Sequence, residues 1–247
     1  MTYIIGHRGA HDLWAENSLA GFRQAVRLGC TAIEFDVHLT DAGELVVIHD
    51  PTLDRTTESE GEVRNLSPRA RATTRLKNSA EAIPTLDDVL GVLAPVPNLQ
   101  LHVEIKLDAR GIGYPGIAGR VAERLLAHGL GKRAYLTSFD LGILRECKAE
   151  APGIARLVSA DPVWLSQHGG LPAFVGKAAP LVEIIALRHD LLAEKFEDTL
   201  TLWPLERLCV WTVNNPEDMR AWLSRRIGYL TTDRPDLALE MNEQVMA

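Results

Sequence analysis

The sequence predicts an α/β fold, a (β/α)8 barrel with a small insertion after its second strand. Three observations lead there. Short apolar runs rich in β-branched residues alternate with stretches of helical periodicity along the whole chain. That alternation implies βα units and a mainly parallel sheet. The 247 residues divide into eight such units of about 31 residues, close to the ~250 usual for this barrel.

The runs are Tyr3–Ile5, Ala32–Val37, Leu45–Ile48, Leu101–Ile105, Ala134–Leu136, Ala155–Val158, Leu181–Ala186, Leu208–Val213 and Ile227–Leu230. Leu19, Phe22 and Val26, and later Leu141, Leu144 and Cys147, show the helical spacing of three and four. Nine runs exceed eight by one. Leu45–Ile48 follows Ala32–Val37 through Asp41-Ala42-Gly43-Glu44, too short for a crossover helix, so it extends the second unit. An open doubly wound sheet is the alternative, weakened because no Gly-x-Gly-x-x-Gly follows the first strand. Residues 50–83 break the rhythm: they show no apolar period, and helical rhythm resumes only at Pro84–Leu90. The expectation is one domain over residues 1–247, with 50–83 as an excursion inserted in it.

Composition narrows the function. A net charge of −7 opposes a nucleic-acid surface, which needs an excess of Lys and Arg. Three widely spaced cysteines suggest neither a disulfide framework nor a thiolate metal site. No apolar run approaches the ~18 residues of a membrane span, and the N-terminal residues lack a signal pattern. A cytoplasmic protein without stable membrane insertion is expected.

Barrel active sites lie at the C-terminal ends of the strands. Reactive side chains gather there: His7-Arg8, Glu34-Phe35-Asp36, His49-Asp50 and Glu104-Ile105-Lys106. Glu34 and Asp36 are two apart on one strand and share a face, as do Glu104 and Lys106 on the next. Three carboxylates at adjacent strand ends repel unless a cation sits between them, and their oxygens suit a hard divalent ion, Mg²⁺ or Ca²⁺. The competing arrangement is an ion-pair network with Lys106 and Arg8. Of eight histidines, His7 and His49 close strands beside other polar groups, as a general acid and general base would. His102 lies in phase with Glu104 one step deeper, and His38 in phase with Asp36 one step beyond it. Arg8 and Lys106 place positive charge where a phosphate could bind.

The ordered set His7-Arg8-Gly9, Glu16-Asn17-Ser18, Glu34-Phe35-Asp36-Val37 and His49-Asp50-Pro51 through Thr57, then Glu104-Ile105-Lys106, Thr137-Ser138-Phe139, Val210–Asn214 and Thr231-Thr232-Asp233, resembles the glycerophosphodiester phosphodiesterase family over nearly the whole chain. Ala15 and Ser18 depart from its commoner Pro and Thr without removing a reactive group. The resemblance implies a TIM barrel in which Glu34, Asp36 and Glu104 hold one divalent cation, and His7 and His49 are the acid/base pair. Arg8 and Lys106 would bind the phosphate, Asn17 would line the pocket, and Trp211 would pack against the glycerol moiety or flank the site. The implied partner is a small glycerophosphodiester, cleaved to sn-glycerol 3-phosphate and an alcohol. Two alternatives stand beside it. One is a lysophospholipase D, for which Leu13, Trp14 and Leu53 could form an apolar groove. The other is a barrel that binds a phosphodiester without cleaving it.

Overall fold

Where a strand alternates apolar and polar residues, a closed sheet can bury the apolar face under helices and turn the polar face inward. The computed structural model describes residues 2–246 and shows this pattern. Its strands are β1 (Tyr3–Gly6), β2 (Ala32–Leu39), β3 (Leu45–Val47), β4 (Gln100–Ile105), β5 (Ala134–Ser138), β6 (Ala155–Ala160), β7 (Ile184–Arg188), β8 (Leu208–Trp211) and β9 (Tyr229–Thr232). Their order is β1-β9-β8-β7-β6-β5-β4-β2, and β1 also pairs with β2, so eight parallel strands close into a ring. That closure excludes the doubly wound alternative. β3 lies antiparallel on β2, with Val37 opposite Val47, outside the ring. β7 starts three residues later than the apolar run did. Leu181 and Val182 are buried among the helices ahead of it, so apolarity alone does not mark the strand's start.

β2 is buried along its entire length. Ile33, Phe35 and Val37 pack outward against helix α1 (Leu19–Leu28) and its neighbours, leaving Glu34, Asp36 and His38 on the inner face. β4 repeats this with Leu101, Val103 and Ile105 outward, and His102 and Glu104 inward. The Phe35 ring lies edge-on to Phe22 at 5.7 Å, and both are fully buried. Phe35→Ala is therefore expected to cost about 3–5 kcal/mol in urea unfolding. A loss under about 1 kcal/mol would show that the outer face of β2 is not packed. Inside the ring a smaller apolar plug, including Ile5, Leu157, Ile184 and Tyr229, fills the lower barrel and supports the site above it.

Residues 50–83 are less shapeless than their sequence. Ser67 caps a short helix, Pro68–Thr73, with Pro68 in its first turn. Leu53, Val63, Leu66, Leu76 and Ile83 converge with Val46 and Ile48 in a small core of their own. These residues are irregularly spaced because Val63 lies in a 3-10 helix, Leu76 in an isolated bridge and the rest in irregular chain, so no period betrays them. Among the described residues no helix is long and apolar enough to cross a membrane.

Candidate active site

The β1–α1 loop is shaped by close backbone approach. A Cβ on Gly6 would meet the Gly9 carbonyl oxygen at 2.3 Å, so only glycine fits. Arg8 then takes φ +49°, a region most side chains avoid, and its backbone N–H donates to Glu34 Oε2 at 3.1 Å. Asn17, also left-handed at φ +56°, donates its backbone N–H to the Arg8 carbonyl and its Nδ2 to Asp36 Oδ2 at 2.9 Å. Asn17 is buried behind Asp36 and is not on the cavity wall. Ser18 ends the loop as the N-cap of α1, accepting from the Gly21 N–H.

The β2–β4 register sets Asp36 opposite Glu104. Ligand oxygens of Glu34, Asp36 and Glu104 lie within 4.8 Å of one another. Lys106 Nζ donates to Glu104 at 2.7 Å and lies 3.4 Å from Asp36, while Arg8 Nε lies 3.5 Å from Asp36 without a hydrogen bond. The ion-pair network weighed from sequence is thus present, but it leaves Glu34 uncompensated: its Oε1 is buried with no hydrogen-bond partner. Burial, then the charges of Asp36 and Glu104, push the Glu34 carboxyl well above the usual range. Burial opposes ionisation of Asp36 as well, yet Lys106 and Arg8 hold it far below its ordinary value. A hard divalent cation fits this all-oxygen set, because it would coordinate the orphaned oxygen and relieve the repulsion.

The two histidines are each held by a carboxylate. His7 Nδ1 donates to Asp233 Oδ1 at 2.6 Å and His49 Nδ1 to Asp50 Oδ1 at 2.5 Å. With those carboxylates ionised, Nε2 of each ring carries the free lone pair. His7 Nε2 faces Glu34 at 3.9 Å. Burial lowers the His7 pKa against the opposing pull of Asp233, which favours the neutral ring. Asp233 is kept well below the carboxylate range by His11, His7 and Asn214 despite its burial. His11 Nε2 reaches the same Asp233 Oδ1 at 2.9 Å. Arg55 bridges Asp50 and Glu16, both at 2.7 Å. His38 donates Nε2 to the His49 carbonyl at 3.1 Å and so steadies the backbone that carries His49.

Sequence reasoning named Asp233 only within the Thr231-Thr232-Asp233 segment, without a role, and gave His11 none. The signal was topological. In a closed barrel the first and last strands are neighbours, so the residue after β9 must sit beside the residue after β1.

A cavity of about 90 Å³ lies among these groups, with His7, His49, Arg8 and Lys106 on one side and Trp211, Phe139 and Leu157 among its other walls. Trp211 stands edge-on to Phe139 at 5.4 Å, and its buried Nε1 has no partner. A second depression of about 460 Å³ runs past Trp14, Leu13 and Arg55 to residues 76–79. Leu53, expected with Leu13 and Trp14 at an apolar groove, is instead buried in the small core of the insertion.

His102 sits opposite Glu34 in the β2–β4 register, stacked on Tyr135 at 4.9 Å, and burial holds its pKa down to about 3. Its folded pKa lies below the ordinary 6.5, so between those values the unfolded chain binds a proton that the folded one does not. Stability is therefore expected to fall by about 1.4 kcal/mol per pH unit on acidification through that window from this residue alone. His102→Phe should flatten the slope. An unchanged pH dependence of the denaturation midpoint would contradict it.

Acidic oxygens for a cation, two rings with free basic nitrogens and two fixed positive charges at one barrel mouth define a hydrolase that acts on a phosphate ester. Residues 7–237 match the model of the glycerophosphoryl diester phosphodiesterase family. The chain belongs to that family and, with it, to the phosphoric diester hydrolases. It is 29% identical to a glycerophosphodiester phosphodiesterase of Caldanaerobacter subterraneus over 252 aligned residues, covering 97% of each chain. A crystal structure of a glycerophosphodiester phosphodiesterase from Agrobacterium tumefaciens superposes with a TM-score of 0.79 at 25% identity, covering 98% of this chain and all of that one. A phosphodiesterase from Oleispira antarctica, solved in complex with the product sn-glycerol-3-phosphate, shares the fold with a TM-score of 0.80 at 19% identity, covering 98% of this chain and 97% of that one.

Proposed function

We propose that this enzyme hydrolyses glycerol 3-phosphodiesters, such as glycerophosphocholine and glycerophosphoethanolamine, to sn-glycerol 3-phosphate and an alcohol. The observation that carries this reading is the pair of carboxylate-held histidines facing one small cavity beside the three clustered carboxylates. His7 and His49 form the acid/base pair. One takes the proton of the glycerol 2-hydroxyl as its oxygen bonds to phosphorus. The other gives a proton to the departing alcohol as its bond to phosphorus breaks. A cyclic phosphate results, and water opens it with the proton flow reversed. Holding the hydroxyl beside the phosphorus makes the attack intramolecular and removes most of its entropic barrier. Glu34, Asp36 and Glu104 hold one Mg²⁺ or Ca²⁺, which when bound polarises phosphoryl oxygens as a Lewis acid. Arg8, whose Nε has no hydrogen-bond acceptor, and Lys106 orient the phosphate. Trp211 and Phe139 pack against the glycerol. Residues 50–83 form a cap inserted within one domain spanning the whole chain.

The test is activity against a panel of glycerophosphodiesters, with and without chelator, detecting glycerol 3-phosphate. Cleavage that stops at a cyclic product by phosphorus NMR, or no cleavage with cation present, would overturn the reading. Lysophosphatidylcholine belongs in the panel because Leu13 and Trp14 line the larger depression.

A further inference from the structure

His7 and His11 converge on a single oxygen. His7 Nδ1 lies 2.6 Å and His11 Nε2 2.9 Å from Asp233 Oδ1, and one ligand atom from each of the three residues lies within 4.8 Å of the others. Two imidazoles and one carboxylate form a borderline-soft set that suits Zn²⁺, Cu²⁺ or Ni²⁺, not Mg²⁺ or Ca²⁺. A second observation points the same way. The remaining nitrogen of each ring faces another carboxylate, His7 Nε2 at 3.9 Å from Glu34 and His11 Nδ1 at 3.8 Å from Asp12. Those contacts are beyond hydrogen-bond reach, but they place negative charge where the outer nitrogen of a metal-bound ring would carry its proton. Asn214 Nδ2 holds the other oxygen of Asp233, which leaves Oδ1 to present inward to the rings. The His11 side chain is 30% exposed, giving an ion a route from solvent and room for water as a further ligand.

We propose that His7, His11 and Asp233 form a second cation site, selective for a transition-metal ion of the Zn²⁺ class, whose occupancy inhibits the enzyme. Loading replaces the two N–H···O hydrogen bonds with nitrogen–metal bonds. The protons on His7 Nδ1 and His11 Nε2 move to the opposite ring nitrogens, and only a ring that was doubly protonated releases one to solvent. His7 is then a neutral imidazole bonded through Nδ1 and protonated at Nε2. It has no lone pair left at the face turned to the cavity, and it cannot take up a proton in turnover. Inhibition rests on the role proposed for His7 above; the binding does not.

The experiment titrates Co²⁺ and then Zn²⁺ into the Mg²⁺-loaded enzyme, following visible absorption and turnover together. Expected are ligand-field bands saturating at one Co²⁺ per chain, displaced by Zn²⁺ but not by excess Mg²⁺, with activity lost in parallel. His11→Ala should abolish the bands and raise the Zn²⁺ concentration for half-inhibition at least about tenfold. Glu104→Gln, which alters only the carboxylate set, should keep the bands. Bands that persist in His11→Ala, or that excess Mg²⁺ removes, overturn the site. Bands that behave as expected while turnover is unaffected uphold the cation site and overturn the role given to His7.

Discussion

His7→Ala is expected to lower kcat by about 10²–10⁴-fold, with little change in cation affinity, and His49→Ala to do the same. Each ring is fixed by one carboxylate, so each variant removes a positioned proton carrier and leaves the three clustered carboxylates in place. His7→Ala separates this role from a structural one. The buried His7 pKa lies below its ordinary value, so the limb of the kcat/KM profile that reports His7 should lie below pH 6.5 and vanish in the variant. Near-wild-type turnover in both variants would remove the acid/base pair from the mechanism.

Glu34→Gln should weaken Mg²⁺ or Ca²⁺ binding by more than the roughly 10–100-fold typical of outer-shell changes, and chelator should inactivate the wild type. Glutamine keeps the side chain's size but cannot supply the anionic oxygen that is buried here without a partner. Because the Glu34 carboxyl is pushed up in the cation-free protein, binding must expel a proton whenever the pH lies below that raised value. Apparent affinity should then rise with pH through that window, and the calorimetric heat should depend on the buffer's ionisation enthalpy. Unchanged affinity in Glu34→Gln would rule out Glu34 as a ligand.

The barrel was legible because its strands alternate. Ile33, Phe35 and Val37 face the helices while Glu34 and Asp36 face inward, and two-residue spacing is readable without a structure. Residues brought to one site by adjacent strand ends, such as Glu34, Asp36 and Glu104, were legible for the same reason. What escaped depends on distance along the chain. Asp233 holds His7 only because β9 returns to β1, and no local pattern encodes that contact. Asn17 illustrates a different limit. Its left-handed backbone turns its amide toward Asp36, so it steadies a carboxylate instead of lining the cavity. The small core of residues 50–83 stayed hidden because its members come from a 3-10 helix, an isolated bridge and irregular chain with no common period.

The His7–Asp233 hydrogen bond spans 226 residues. A ribosome makes the chain from the N-terminal end, so every carboxylate of the cation cluster and both proposed proton carriers exist long before Asp233 does. Until β9 arrives the ring is open and the His7 imidazole has nothing to fix its tautomer. The proposed proton carrier His7 therefore meets its carboxylate only once β9 has closed the ring against β1.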